Sequence, residues 1–144
     1  MRVSGVLAAK GATVATISPL ATVAEAADKL RLHGVGALVV STDGVTILGV
    51  ISERDLVRAL AERGAHILHE SVTELMTSDV VTCSPEDSLE EIMRRMTNRR
   101  IRHVPVIVHG SLSGIVSIGD IVKWRLTELE DETRQLQSYI STGR

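Results

Sequence analysis

Gly49-Val50-Ile51-Ser52-Glu53-Arg54-Asp55 and Gly114-Ile115-Val116-Ser117-Ile118-Gly119-Asp120 carry one pattern twice: a glycine, two apolar residues, then a hydroxyl and a carboxylate three positions apart. The duplication reaches upstream, where Pro19-x-x-Thr22-x-x-Glu25 recurs as Pro85-x-x-Ser88-x-x-Glu91. A single deletion near Thr46 brings both matches into one register. So many turn, cap and apolar positions in step mark two copies of one supersecondary unit.

Each copy reads alike. Val14–Ile17 and Val80–Cys83 are β-branched runs stopped by Ser-Pro, which predicts brief strands. Thr22 with Glu25, and Ser88 with Glu91, are capping boxes that open helices. Apolar residues then recur at helical spacing: Val23, Ala26, Ala27 and Leu30, and later Leu89, Ile92, Met93 and Met96. Two strands follow in each copy, Ala37–Val40 with Ile47–Ile51, and Val104–Val108 with Leu112–Ile118. Asp43-Gly44 and His109-Gly110 predict hairpin turns, because glycine tolerates the positive φ that tight turns need. A closing helix is predicted from about Glu53 to Arg63, ending at Gly64.

The expected fold is α/β (α+β), two β-α-β-β-α repeats over residues 14–73 and 74–128. Residues 1–13 form an N-terminal segment and 129–144 a C-terminal helical extension. A unit of about 60 residues rarely buries enough apolar surface alone, so the copies are expected to pack sheet to sheet about a pseudo-two-fold axis.

Composition bounds the function. The chain has 144 residues, 44% hydrophobic and 24% charged, which excludes a disordered chain. Aromatics are 1%, Trp124 and Tyr139 without any Phe, so burial rests on Val, Ile, Leu, Ala and Met. A net charge of −2 with so few stacking platforms argues against nucleic acid as a partner. The longest uncharged run, Gly11 to Ala24, contains Pro19 and is too short to cross a bilayer, so no membrane partner is expected. The start, broken by Lys10, makes a poor signal peptide. With the lone Cys83, this points to a cytoplasmic protein.

No Gly or Pro interrupts the chain from Asp120 to Gly143, so the second closing helix is predicted to run to about Tyr139. Val122, Leu126, Leu129, Thr133, Leu136 and Ile140 alternate spacings of four and three, a heptad seam. The stripe needs a partner, either its own module or the same helix in a second chain. A homodimer is the expectation.

Few residues are suited to chemistry. Ser52-x-x-Asp55 and Ser117-x-x-Asp120 each follow a strand and open a helix. One reading is a capping box. The other is a ligand site: free amides and a hydroxyl suit a phosphate or ribose oxygen, an Asp suits a ribose diol, and the leading glycine admits a close approach.

The duplicated pattern, the two Gly-x-x-Ser-x-x-Asp stretches and Ile101-Arg102-His103-Val104-Pro105-Val106 together resemble the CBS domain family, as a stand-alone tandem pair or Bateman module, over about Val14 to Trp124. The resemblance implies a regulatory module that binds adenosine nucleotides in clefts between the copies and catalyses nothing. It implies that Asp55 and Asp120 hold ribose hydroxyls and that Ser52 and Ser117 assist. It also implies that Ile17, Val80, Thr82, Val104 and Pro105 line adenine pockets.

The copies differ in charge. Arg94, Arg95, Arg99, Arg100 and Arg102 precede His103 in the second, a cluster that is either a solvated face, a partner for the acidic Glu128, Glu130, Asp131 and Glu132, or a phosphate site using Arg100, Arg102 and His103. The first copy has only Lys29 and Arg31 there, and Val39 stands where the second has Pro105. Arg54, beside Asp55, is the candidate compensating cation.

His66, His69, Cys83, His103 and His109 make a zinc site only on paper, so no metal is expected. Cys83 reads as a small buried hydrophobe, the alternative being a modifiable thiol. No activated nucleophile, Walker loop or paired carboxylates point to an enzyme. The expected function is therefore a sensor of AMP, ADP, ATP or NAD(H) that signals by conformational change. The alternative is a structural dimerisation or adaptor protein with empty or degenerate clefts.

Overall fold

A computed structural model of the chain describes residues 1–142; Gly143 and Arg144, the end of the expected extension, lie outside the described residues. The elements run α1 (Val3–Lys10), β1 (Thr16–Ile17), α2 (Val23–His33), β2 (Ala37–Val40), β3 (Gly49–Ser52), α3 (Glu53–Arg63), α4 (Leu89–Arg99), β4 (His103–Val108), β5 (Ser111–Ser117) and α5 (Ile118–Thr142). Two short 3-10 turns, Ala65–His69 and Val72–Glu74, lie between α3 and α4. The architecture is mixed α+β, with small sheets and a long last helix.

Capping chemistry sets the helix starts. The Glu25 N–H donates to Thr22 Oγ1 at 3.2 Å while the Thr22 N–H donates to Glu25 Oε2 at 3.1 Å, a reciprocal box that satisfies two free donors at the start of α2. Ser88 caps α4 through the Glu91 N–H at 3.2 Å. In the first repeat β2 lies centrally, parallel to β1 and antiparallel to β3. All four of its residues, Ala37 to Val40, are buried, as an unbroken apolar run in a central strand requires.

The second repeat departs from the first. The strand expected over Val80–Cys83 is reduced to one parallel bridge, Cys83 with Val106. In the first repeat the Val39 N–H donates to the Ala15 carbonyl at 3.1 Å and the Ser41 N–H to Ile17 at 2.9 Å, which builds β1. Pro105 occupies the place of Val39 and has no N–H, so Val81 finds no donor. Two bonds remain, both at Cys83: the Ile107 N–H donates to its carbonyl at 2.8 Å, and its own N–H donates to the Pro105 carbonyl at 3.0 Å.

Other boundaries shift for local reasons. Asp43-Gly44 forms no tight turn. The Asp43 carboxylate instead accepts the backbone N–H of Thr46 and of Val45, at 2.7 and 2.8 Å, and organises a loop from Ser41 to Leu48. Those amides pull its pKa down to about 2. β3 accordingly begins at Gly49, not Ile47. His109-Gly110 does turn tightly, both residues at positive φ, 51° and 77°.

Helix α1, absent from the expectations because its apolar residues lack a sustained period, packs onto the second repeat. Val3 and Val6 join Leu89, Ile92, Val104, Val106, Val116 and Ile121 in one core. The other core, Ile17, Ala26, Leu30, Leu38, Val40 and Ile51, is closed by Val72, within the bounds expected for the first repeat but carried on the 3-10 turn Val72–Glu74 that leads into the second. Each core is thus sealed by the segment that precedes the other copy. The repeat glycines serve this packing rather than a ligand: a Cβ on Gly114 would fall 2.7 Å from the Leu7 side chain, and one on Gly49 2.6 Å from Met76 and 2.9 Å from the Thr77 carbonyl.

Gly49→Ala should therefore destabilise the chain by about 1–3 kcal/mol through overpacking against backbone. Gly114→Ala should cost less, since the end of a leucine side chain can move. Urea midpoints of the two variants check this; equal losses would contradict it.

Candidate functional site

A cleft of about 530 Å³ opens between the repeats, lined by Gly36, Val50, Ser52, Glu53, Arg54, Asp55 and Arg58 from the first, and by Thr77, Asp79, Val80, Val81, Arg99 to His103 and Ile118 from the linker and the second. One wall is the start of α3. Asp55 Oδ2 accepts the Ser52 N–H at 2.8 Å and its hydroxyl at 2.9 Å, while the Asp55 N–H reaches Ser52 Oγ at 3.3 Å. Ser117 and Asp120 repeat the motif, with bonds of 2.8 and 3.2 Å. Both Ser-x-x-Asp stretches are capping boxes. At Asp55 the box engages only Oδ2 among the described hydrogen bonds.

The opposite wall is cationic. Arg100 ends α4 in the left-handed region, φ 53° and ψ 46°, and turns the chain so that Arg99, Arg100 and Arg102 border the cleft. Arg54 and Arg58, one helical turn apart on α3, border it too. Of these five, only Arg99 makes an ion pair among the described residues, a 3.6 Å contact with the exposed Asp79. Four guanidinium groups are left for an anion, beside a helix N-terminus that also favours one.

His103 lies beneath them. Its ring packs on Gly36, where a Cβ would sit 3.1 Å from Cε1 and Nε2. Burial pushes the imidazole below the ordinary histidine value; Glu53 and Asp120 oppose this, while Lys10 and Arg102 reinforce it.

Seven expected site residues meet in the cleft: Ser52, Arg54, Asp55, Val80, Arg100, Arg102 and His103. The other six do not line it. Ile17 and Val104 are buried in the two cores. Thr82 gives its carbonyl to Arg95, 3.0 Å away, and Pro105 pairs with Ile115 inside the second sheet. Ser117 and Asp120 lie beneath α1, where Lys10 Nζ sits 2.7 Å from Asp120 Oδ2. Burial would raise the Asp120 pKa, but the bonds from Lys10 and the Ser117 N–H hold it below the usual carboxylate value.

The asymmetry has a cause in the sequence. Val3 and Leu7 correspond to Val72 and Met76 in their packing, and the same offset matches Lys10 to Asp79. An ammonium therefore reaches Asp120, whereas Asp79, like Asp55, is an acid and leaves that carboxylate uncovered.

Sequence reasoning missed Arg58 and Arg99 as cleft residues. Arg58 was legible as i+4 from Arg54; Arg99 needed the left-handed turn at Arg100. The arginine cluster itself divides, Arg95 bonding Asp87 at 3.2 Å in a structural role. Among the described residues the acidic tail makes no ion pair with it; Glu128 and Asp131 bind Arg125 and Arg134 within α5. Cys83 is buried, which pushes its thiol up to about 12 and leaves it without thiolate. Among the described residues, no helix is long and apolar enough to cross a membrane.

Comparison with known proteins supplies context. A model of the CBS domain matches residues 12–62 and again 72–127. The chain is 37% identical over 126 residues to the mitochondrial CBS domain-containing protein CBSX3 of Arabidopsis thaliana, which covers 85% of this chain and 61% of that one. Among solved structures, a CBS-domain containing protein of Agrobacterium tumefaciens superimposes with TM-score 0.84 and 44% identity over 87% of this chain and 99% of its own. A CBS domain protein of Pyrobaculum aerophilum complexed with AMP gives TM-score 0.73 and 29% identity, over 83% of this chain and 89% of its own.

The His103 environment makes stability pH-dependent. A histidine whose folded pKa lies below its unfolded value leaves the unfolded state binding more protons, so its contribution is complete above pH 6.5 and is lost as pH falls below that. Urea midpoints should drop from pH 7.5 toward pH 5, and His103→Gln should flatten that drop. An unchanged pH profile in the variant would contradict the burial argument.

Proposed function

The chain belongs to the CBS domain family, and on that footing we propose that it is a regulatory module. It binds an adenosine nucleotide, AMP, ADP, ATP or NAD(H), in the cleft between its repeats, catalyses nothing, and signals through a change of shape. One observation carries this reading: the Ser52–Asp55 helix start of one repeat faces Arg100, Arg102 and His103 of the other across a cleft of about 530 Å³.

The groups suit the parts of such a ligand. Val50, Val80, Val81 and Ile101 offer apolar surface to a base. Asp55 Oδ1 accepts from ribose hydroxyls without breaking the cap on Oδ2. Arg54, Arg58, Arg100 and Arg102 take the phosphates, where guanidinium forks match the oxygens. The AMP complex of the Pyrobaculum aerophilum relative supports the ligand class.

At the second, pseudo-symmetric position Lys10 pairs with Asp120 and α1 lies over it, outside the cleft, so one nucleotide is assigned to each chain. Signalling requires that the ligand prefer one arrangement of the repeats, since only differential affinity shifts an equilibrium. The exposed seam of α5 gives that change an output, contact with a second copy in a homodimer.

Isothermal titration with each nucleotide tests the proposal. One site per chain is expected for at least one of them. Asp55→Asn and Arg102→Ala should weaken binding about tenfold or more, the scale of a lost charged hydrogen bond, and Asp120→Asn should not. No heat or thermal shift with any nucleotide, in protein shown ligand-free by extraction, would leave an adaptor with an empty cleft.

A further inference from the structure

Helix α5 continues to Thr142, although the CBS match ends at residue 127. Its core-facing side ends early: Ile121 is buried and Trp124 packs on the second core. Val122, Leu126, Leu129, Leu136 and Ile140, on a different face, are 42–70% exposed. They alternate spacings of four and three, with Thr133 completing the series. Leu126, Leu129, Glu130, Thr133, Arg134 and Gln137 border a shallow groove along this face. In heptad terms Leu126, Thr133 and Ile140 are a positions, and Val122, Leu129 and Leu136 are d positions.

The flanking charges distinguish the two ways of pairing this stripe with itself. Lys123, Glu130 and Gln137 fall at e; Arg125, Glu132 and Tyr139 fall at g. In an antiparallel pair with full overlap, Leu126 meets the other copy's Leu136 and Leu129 its Thr133. Like flanks then meet, Glu130 beside Glu130 and Glu132 beside Glu132, at the centre of the contact. In a parallel pair each g residue faces the e residue of the next heptad in the other helix. Arg125 then faces Glu130 on both sides, and Glu132 faces the neutral Gln137. Within one chain Arg125 contacts Glu128 at 3.2 Å, and the partner's Glu130 shares or replaces that half-exposed pair. Thr133 meets Thr133 in a single polar layer, and a lone polar a position pins register.

We propose that two copies of this chain join through residues 122–140 of α5 as a parallel, in-register coiled coil, with Arg125 of each copy facing Glu130 of the other. This rests on the reading of the chain as a homodimer and adds its orientation. Both modules then lie at the same end of the coil, so a change in either nucleotide cleft acts on one shared helix pair.

Disulfide trapping of the full chain tests the orientation. Leu136→Cys places two thiols in the same d layer of a parallel coil, where oxidation should convert most of the protein to a linked dimer. In the antiparallel pair Leu136 lies opposite Leu126, about 15 Å along the axis from its counterpart, too far for a disulfide, which needs Cα atoms within about 7 Å. Buried Cys83 should leave the wild type unlinked. Light scattering of the reduced variant reports assembly separately. A dimer that links only when Leu126→Cys and Leu136→Cys chains are mixed would overturn the orientation and keep the homodimer. A monomeric mass for the wild type would overturn both. A dimer that links in neither experiment would place the contact elsewhere and also overturn the proposal.

Discussion

Neither repeat closes its own core, and this constraint shapes the rest of the molecule. A sixty-residue β-α-β-β-α unit with almost no aromatic residues leaves one side of its core open. The first repeat borrows Val72 from the segment that leads into the second. The second borrows Val3 and Val6 from the segment that leads into the first. The backbone records the same exchange: the Val23 N–H donates to the Glu70 carbonyl at 2.8 Å, and the Leu89 N–H to the Met1 carbonyl at 3.1 Å. The repeats therefore fold as a pair, and the cleft between them is a consequence of how each core is sealed.

The same exchange separates the two pseudo-symmetric positions. Each sealing segment ends near the helix start of the repeat it covers, with Lys10 beside one Ser-x-x-Asp box and Asp79 near the other. Lys10 neutralises Asp120 at 2.7 Å, whereas Asp79 faces away, 95% exposed, toward Arg99. One charge difference between equivalent places distinguishes a carboxylate in an ion pair from one without, among the described residues. The proposed single nucleotide site follows from that difference, since the reciprocal pair of backbone capping bonds is made in both repeats.

Much of this was legible in the sequence because it is local. The glycine-led strands, the Thr22 and Ser88 caps, the His109-Gly110 turn and the heptad stripe of α5 all depend on neighbours within a few positions. What escaped was long-range. The loss of the strand at Val80–Cys83 depends on an N–H that Pro105 lacks on another strand. The α1 helix is legible only once the open side of the second core is known. The candidate site shows the same division. Ser52, Asp55, Arg102 and His103 stand out by motif, while Arg99 enters through the left-handed turn at Arg100. The pairing of Asp120 with Lys10 joins residues 110 positions apart.

The central claim is that this module has one open nucleotide site, built from the start of α3 and the α4–β4 turn. Amide NMR of the labelled chain titrated with AMP reads it directly. Shifts are expected to concentrate at Gly36, Ser52 to Asp55, Thr77 to Val81 and Arg99 to His103, with the amides of Lys10 and of Ser117 to Asp120 little changed. Shifts centred on Lys10 and Asp120 instead, with the α3 start silent, would contradict it.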